Sequence, residues 1–238
     1  MFRNSAHVYD LIYQAAGKDY AAEAREVDDQ IRARCPGARS LLDVACGTGG
    51  HLRHLRGSYD VAVGVDVDPS MVAEARRYLP ESDVGEADMR SLCLDRRFDA
   101  VVCLFSSIGY MSSTPELDKA VGAMASHLNP GGVLIVDGWI RPDDWIDPGV
   151  VHTEVAEADG IKVARVGRSF RDGDQTHLEM HHLVASLEGI DHFVDHHVLT
   201  LFSDSNYRAA FQAAGLRVDV VPSPMLGRDR YIGQPAEK

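Results

Sequence analysis

Apolar positions along the chain change their period twice. In the first forty residues they recur three and four apart: VYDLIYQ sets Tyr9 and Tyr13 on one face of a short helix, and AGKDYAAEAREVDDQIRARC continues as a longer amphipathic helix that ends before Pro36-Gly37. From Ser40 to Trp139 short, nearly continuous apolar runs alternate with amphipathic segments. That is the pattern of buried parallel strands joined by helices. The predicted strands lie at Leu41–Ala45, Val61–Val67, Val84–Ala87, FDAVVCLFSSIGY and VLIVDGW, with helices from Asp68-Pro69-Ser70 and over Pro115–Leu128. Between residues 150 and 202 the period becomes two, in VHTEVAEA, IKVARVGRSFR, THLEMHHLVASL and DHFVDHHVLTLF, separated by Asp159-Gly160, Asp172-Gly173-Asp174 and Glu188-Gly189. Those dipeptides are hairpin signals, and they predict a small antiparallel sheet. SDSNYRAAFQAAG then reads as a capped helix stopped by Gly215, and LRVDVVP and RYIGQP as closing strands. The expected fold is α/β and Rossmann-like: a parallel central sheet with an inserted antiparallel sheet.

The first strand runs directly into Gly47-Thr48-Gly49-Gly50 and then into HLRHL. Strand, glycine turn and helix make a cradle for a polar ligand, because glycine takes positive φ and the helix start offers unpaired N–H groups. A nucleoside triphosphate would need a Lys-Ser/Thr after the turn, and none follows. A dinucleotide would need a third small residue where Leu52 stands. DVACGTGG resembles instead the acidic-x-Gly-x-Gly-x-Gly turn of class I S-adenosylmethionine-dependent methyltransferases, with Asp43, Ala45, Gly47 and Gly49 on the pattern and Ala45 in place of the first glycine. Asp66 closes the second strand 17 positions beyond Gly49, where an acid in a βαβ nucleotide site meets the ribose hydroxyls. The resemblance further implies that Asp88-Met89 is the pair that binds adenine. Leu104 to Tyr110, the C-terminal end of the fourth strand, falls on the ligand rim, since crevices form outside the carboxyl ends of such strands. Tyr110 is the residue expected near the methyl acceptor, or else packed over the cofactor. The leader carrying Tyr9, Tyr13, Lys18 and Tyr20 reads equally as a helix over the sheet edge or as a lid.

Composition narrows the substrate. A net charge of −12 with no basic cluster disfavours nucleic acid and leaves a small metabolite. No apolar run approaches the ~20 residues of a membrane span, and MFRNSAHVYD has no signal-peptide core. Cys35, Cys46, Cys93 and Cys103 follow no paired spacing, so a reduced, cytoplasmic protein is expected. Six histidines, His177, His181, His182, His192, His196 and His197, crowd the antiparallel region. On strands, 177 and 181 share a face, as do 192 and 196, but no familiar ligand spacing accompanies them. No metal is expected, and His181 is assigned to substrate contact.

Nearly the whole chain is similar to the nucleotide-sugar N-methyltransferases that build dimethylamino sugars for macrolide antibiotics. The similarity is carried by HVYDLIYQAAGKDYAAEA, SLLDVACGTGGHLRHL, EADMR, FSSIGY, LNPGGVLIVDGW, VARVGRSFR, YRAAFQAAGLRV and GRDRYIG. It implies a thymidine-diphosphate (TDP)-linked amino sugar as acceptor, S-adenosylmethionine as cofactor, two successive methylations at one amine, and a homodimer. It places Tyr20 with the cofactor, and Tyr9, Tyr13, Trp145, Arg165, Ser169 and Arg228 with the substrate, Gly227-Arg228 lying by the diphosphate. The implied division is a cofactor core with a helical lid over 1–140, an antiparallel insertion for substrate and dimer contacts over 141–202, and completion of the core by 203–238. Methylation of another small amine or hydroxyl, or a non-catalytic partner subunit, are the alternatives. Asp137-Gly138-Trp139-Ile140, VGRS and Asp229-Arg230 depart from the usual pattern, all in the substrate region.

Overall fold

The computed structural model describes residues 5–79, 83–222 and 228–236. The leader forms α1 (Ala6–Ala15) and α2 (Tyr20–Arg34), separated where Gly17 adopts φ +92° and the Asp19 side chain caps α2 by accepting from the Ala22 N–H. β1 (Ser40–Val44) leads through the glycine turn into α3 (Leu52–Leu55), a single turn prolonged by a 3₁₀ turn over Arg56–Ser58. There follow β2 (Val61–Asp66), α4 (Pro69–Tyr78), β3 (Asp83–Glu86), β4 (Phe98–Cys103), α5 (Thr114–Ser126) and β5 (Leu128–Asp137). Asp68 caps α4, accepting from the Ser70 N–H with Pro69 in the first turn, as the Asp-Pro-Ser start predicted. β5 begins earlier than the apolar pattern suggested. Leu128 already pairs with Phe98, the next pair is Ala100 with Val133, and the chain between them detours through Gly131 at φ +76°.

Seven strands form one sheet in the order β10-β11-β5-β4-β1-β2-β3, where β10 is Leu216–Val221 and β11 is Arg230–Pro235. β1 to β5 are mutually parallel, and β11 is antiparallel to both β5 and β10. Alternate side chains of the central strands enter two cores. Leu42 and Val44 of β1 join Leu117 and Val121 of α5 and Phe211 of α6 (Asp204–Ala213), while Leu41 joins Val27 and Ile31 of α2 and Val72 of α4. Burial on both faces is why these strands read as continuous apolar runs.

The second sheet has four antiparallel strands, β6 (Val150–Ala158), β7 (Ile161–Asp172), β8 (Gln175–Ser186) and β9 (Gly189–Thr200), in that order. All three hairpin turns sit where the Asp-Gly and Glu-Gly pairs placed them, with Asp159 and Gly160 both at positive φ. Its outer face is exposed, including Val151 at 82% and Val155 at 71%. Its inner face packs Val163 and Val184 on Val8 and Ile12 of α1. Asp10 of α1 also accepts from Thr48 Oγ1 (2.6 Å) and from the Arg53 guanidinium (2.6 Å), so α1 ties the antiparallel sheet to the glycine turn.

Candidate active site

A cavity of about 580 Å3 opens between the carboxyl end of the parallel sheet and the inner face of the antiparallel one. Its floor is the glycine turn. Ala45 and Gly47 are both left-handed, at φ +58° and +57°, and a Cβ at Gly47 would meet nothing within 4 Å, so the turn's backbone is open to a ligand. Gly49 and Gly50 serve packing instead. A Cβ would press on Leu79 Cδ1 at 2.5 Å in the first case, and on the Tyr20 ring at 2.6 Å in the second. Cys46 is buried against Gly64, consistent with a small filler.

Two carboxylates stand under this turn. Asp66 accepts from the Gly47 N–H at 2.8 Å and the Asp68 N–H at 2.9 Å; burial pushes its carboxyl up, and those donors oppose the shift. Asp43 is 2% exposed, and burial, with Asp66 and Asp137 adding repulsion, raises its carboxyl to about 8. Buried carboxylates that border a cavity, with no cation paired to them among the described residues, are suited to a ligand bearing hydroxyl donors or positive charge. The ribose diol and the cationic groups of S-adenosylmethionine meet both requirements, and the open Gly47 backbone admits its close approach.

A second cluster, from the leader, closes one side. Glu23 accepts from Lys18 Nζ at 2.6 Å and lies 2.8 Å from His51 Nε2. Burial would raise its carboxyl, but those partners hold it at about 2. Lys18 itself stands 3.6 Å over the Phe105 ring. Two arginines also line the cavity. Arg165 is 5% exposed, donates to Glu154 Oε2 at 3.0 Å, and lies 4.7 Å over the Tyr13 ring. Arg228 stacks 4.2 Å over Trp139, and no carboxylate pairs with it among the described residues.

Of the residues singled out in the sequence, Tyr9, Tyr13, Tyr20, Ala45, Gly47, Asp66, Leu104, Tyr110, Arg165 and Arg228 line this one cavity. The others stand elsewhere. Asp88 is held by Arg90 and Met89 packs in the core, both outside the lining. Trp145 packs with Trp139 and Leu201, and Ser169 accepts the Val150 N–H at the mouth of the β6–β7 pair. Gly227 lies outside the described residues. His181 is on the wrong face for substrate contact from the cavity. It pairs with Val166 on the outer side of the sheet, its Nδ1 3.2 Å from His192 Nε2 and its Nε2 3.0 Å from Glu179 Oε1. Of the six histidines singled out, His182, opposite Arg165, and His197, whose Nδ1 is 3.0 Å from the Tyr110 hydroxyl, turn inward, and His152 of β6 also lines the cavity. A shift of one residue reverses a strand's faces, and on β8 the apolar parity of Leu178, Met180 and Val184, shared by His182, was the signal that turns His181 outward. Asp43, Glu23, His51 and His197 were missed as site residues. Only Asp43, inside the glycine motif, had a signal that could have found it.

Residues 41–132 match the family model described as a methyltransferase domain. The chain is 47% identical over 232 residues to the dTDP-3-amino-3,4,6-trideoxy-alpha-D-glucopyranose N,N-dimethyltransferase of Streptomyces venezuelae, covering 97% of this chain and 98% of that one. Among solved structures it is similar to DesVI of Streptomyces venezuelae, with a TM-score of 0.93, 46% identity, and 98% and 99% of the two chains covered. The S-adenosylmethionine-bound CalS10, an amino pentose methyltransferase of Micromonospora echinaspora involved in calicheamicin biosynthesis, matches with a TM-score of 0.87, 39% identity, and 96% and 97% covered. With similarity running from end to end, the chain belongs to the family of nucleotide-linked amino-sugar N,N-dimethyltransferases, enzymes dependent on S-adenosylmethionine.

Proposed function

We propose that this protein transfers methyl groups from S-adenosylmethionine to the amine of a TDP-linked deoxyamino sugar, twice in succession, in the making of an antibiotic sugar. One observation carries the reading: a single cavity lined both by a glycine turn with buried acids, Asp43 and Asp66, and by two arginines, Arg165 and Arg228. S-adenosylmethionine supplies a methyl group on a positively charged sulfur. Ala45, Gly47 and Asp66 would hold it, with Tyr20 closing over the turn and Leu104 beside it; Gly49 would shape the turn, and Asp88 and Met89 would take the adenine beyond the cavity lining. Guanidinium groups suit the geometry of a diphosphate, which assigns Arg165 and Arg228 to the nucleotide. Tyr9 and Tyr13 would flank the sugar, with Trp145 and Ser169 supporting the wall rather than touching it.

Tyr110 would meet the acceptor amine. Holding nucleophile, methyl and sulfur in line in a closed site can supply on the order of 7 to 11 kcal/mol, so no side chain has to form a covalent bond. The cofactor is then held within residues 1–140, while the substrate is shared by Arg165 of the 141–202 insertion, Tyr9, Tyr13 and Tyr110 of the core and leader, and Arg228 of 203–238. Its place is the cytoplasm, and no helix among the described residues is long and apolar enough to cross a membrane. A homodimer belongs to the same reading, supported by the exposed apolar outer face of the antiparallel sheet; light scattering should return twice the 26.0 kDa chain mass.

The test is incubation with S-adenosylmethionine and a panel of TDP-linked 3-amino, 4-amino and hydroxyl sugars, read by mass. Products bearing first one and then two methyl groups on an amino sugar are expected. Conversion of hydroxyl sugars alone would defeat the amine assignment.

A further inference from the structure

Methyl transfer to an amine needs the nitrogen lone pair aimed at the methyl group, with the N–H groups turned elsewhere. Each of the two transfers starts from a nitrogen that still carries an N–H, so one fixed acceptor could orient both. Most carboxylates of the cavity are already committed. Glu23 holds Lys18 and His51, Glu154 holds Arg165, and Asp66 receives two backbone N–H groups. The Tyr110 hydroxyl differs, because its behaviour depends on its neighbour. Tyr110 follows β4 in a 3₁₀ turn over Ser107–Tyr110, and its hydroxyl lies 3.0 Å from Nδ1 of His197, the rings meeting edge to face. Both residues line the cavity, and His197 is 3% exposed.

Resting on the function proposed above, we infer that His197 is a positioning residue for methyl transfer: its Nδ1 accepts the Tyr110 hydroxyl proton, leaving the Tyr110 oxygen as the acceptor for an N–H of the sugar amine. This requires a neutral imidazole. A protonated ring would donate to the Tyr110 oxygen and turn the hydroxyl hydrogen towards the cavity, where it would tie up the amine lone pair. The surroundings keep the ring neutral. On β9 it sits two residues from Asp195, with Leu178 of β8 directly opposite. Burial pushes it down to about 4. Asp195 pulls the other way, and His182 of β8 and Arg165 of β7 reinforce the effect of burial. Burial also keeps Tyr110 protonated, its hydroxyl pushed well up.

The experiment is a double-mutant cycle on the full-length protein, with kcat measured on the amino sugar and cofactor Kd measured separately. His197→Leu should lower kcat about ten-fold at unchanged cofactor Kd, as should Tyr110→Phe, and the double variant should lose no more than either alone. His197→Asn keeps an acceptor, Oδ1, at the position of Nδ1 and should stay within about three-fold of wild type. Multiplying losses in the double variant, or full kcat in His197→Leu, would overturn the inference. A readout that needs no turnover is ¹⁵N NMR of the histidines in the wild-type protein. His197 should show an Nδ1 without hydrogen at neutral pH, its shift moving in Tyr110→Phe; a hydrogen on Nδ1 overturns the inference even if His197→Leu fails to fold. Wild-type protein that methylates no amino sugar would defeat the proposed function instead, a result the NMR measurement distinguishes.

Discussion

Replacing Asp43 by asparagine should make the cofactor-free protein more stable, by an amount that grows with pH. In the folded protein burial lets the Asp43 carboxyl keep its proton up to about pH 8, whereas the unfolded chain gives it up near the ordinary value of 3.8. Between those two values the folded state binds more protons, so raising the pH destabilises it; below 3.8 and above about 8 the dependence disappears. One unit is worth about 1.4 kcal/mol, so the interval from about pH 5 to about pH 8 spans about 4 kcal/mol at most. Relaxation of the site and the linked ionisation of Asp66 bring the expected value to about 2 to 4 kcal/mol. Asparagine carries no charge and removes this slope. Urea unfolding of both proteins without cofactor, at about pH 5 and about pH 8, measures it. A stability difference that stays constant across that range would refute the reasoning. Cofactor affinity should fall in the same variant, since a buried ionisable acid retained against stability is expected where it meets a ligand.

Asp66→Ala should weaken S-adenosylmethionine binding by about 1 to 3 kcal/mol in calorimetry and also lower the melting temperature, because it strips the acceptor from the Gly47 and Asp68 N–H groups; unchanged affinity would remove Asp66 from the ribose. Arg228→Ala should raise the nucleotide-sugar KM about ten-fold or more while sparing cofactor affinity, and the reverse pattern in steady-state kinetics would take Arg228 away from the diphosphate. Ala45→Gly should stabilise the protein by about 0.5 to 1 kcal/mol. It relieves a left-handed alanine at φ +58°, less the added freedom of the unfolded chain. A lower melting temperature would count against that account.

Local chemistry was legible from the residue order. Asp68-Pro69-Ser70 starts α4, Ser203 caps α6 through a reciprocal bond with Asn206, and Asp159-Gly160 closes the β6–β7 hairpin at positive φ. Each depends on contacts a few residues apart, where propensity and hydrogen-bonding capacity act without help from the rest of the chain. The apolar period likewise separated the parallel core from the antiparallel sheet, and the glycine turn with Asp66 fell on the lining of the cavity. On β8 the alternation of Leu178, Met180 and Val184 marked the inner face, and His181 was chosen against it where His182 and His197 turn in. What β7 and β9 present inward was not legible, because apolar residues fall on both of their parities. The same limit hid the Glu23 contact with His51, 28 residues apart, and the Tyr110 contact with His197, 87 apart. By itself the sequence determined the elements, their turns and the cofactor motif, since these follow from short-range sterics and periodic burial. The tertiary structure alone decided how α1 bridges the two sheets and which charged groups share the cavity, because long-range packing chooses among pairings that are locally equivalent.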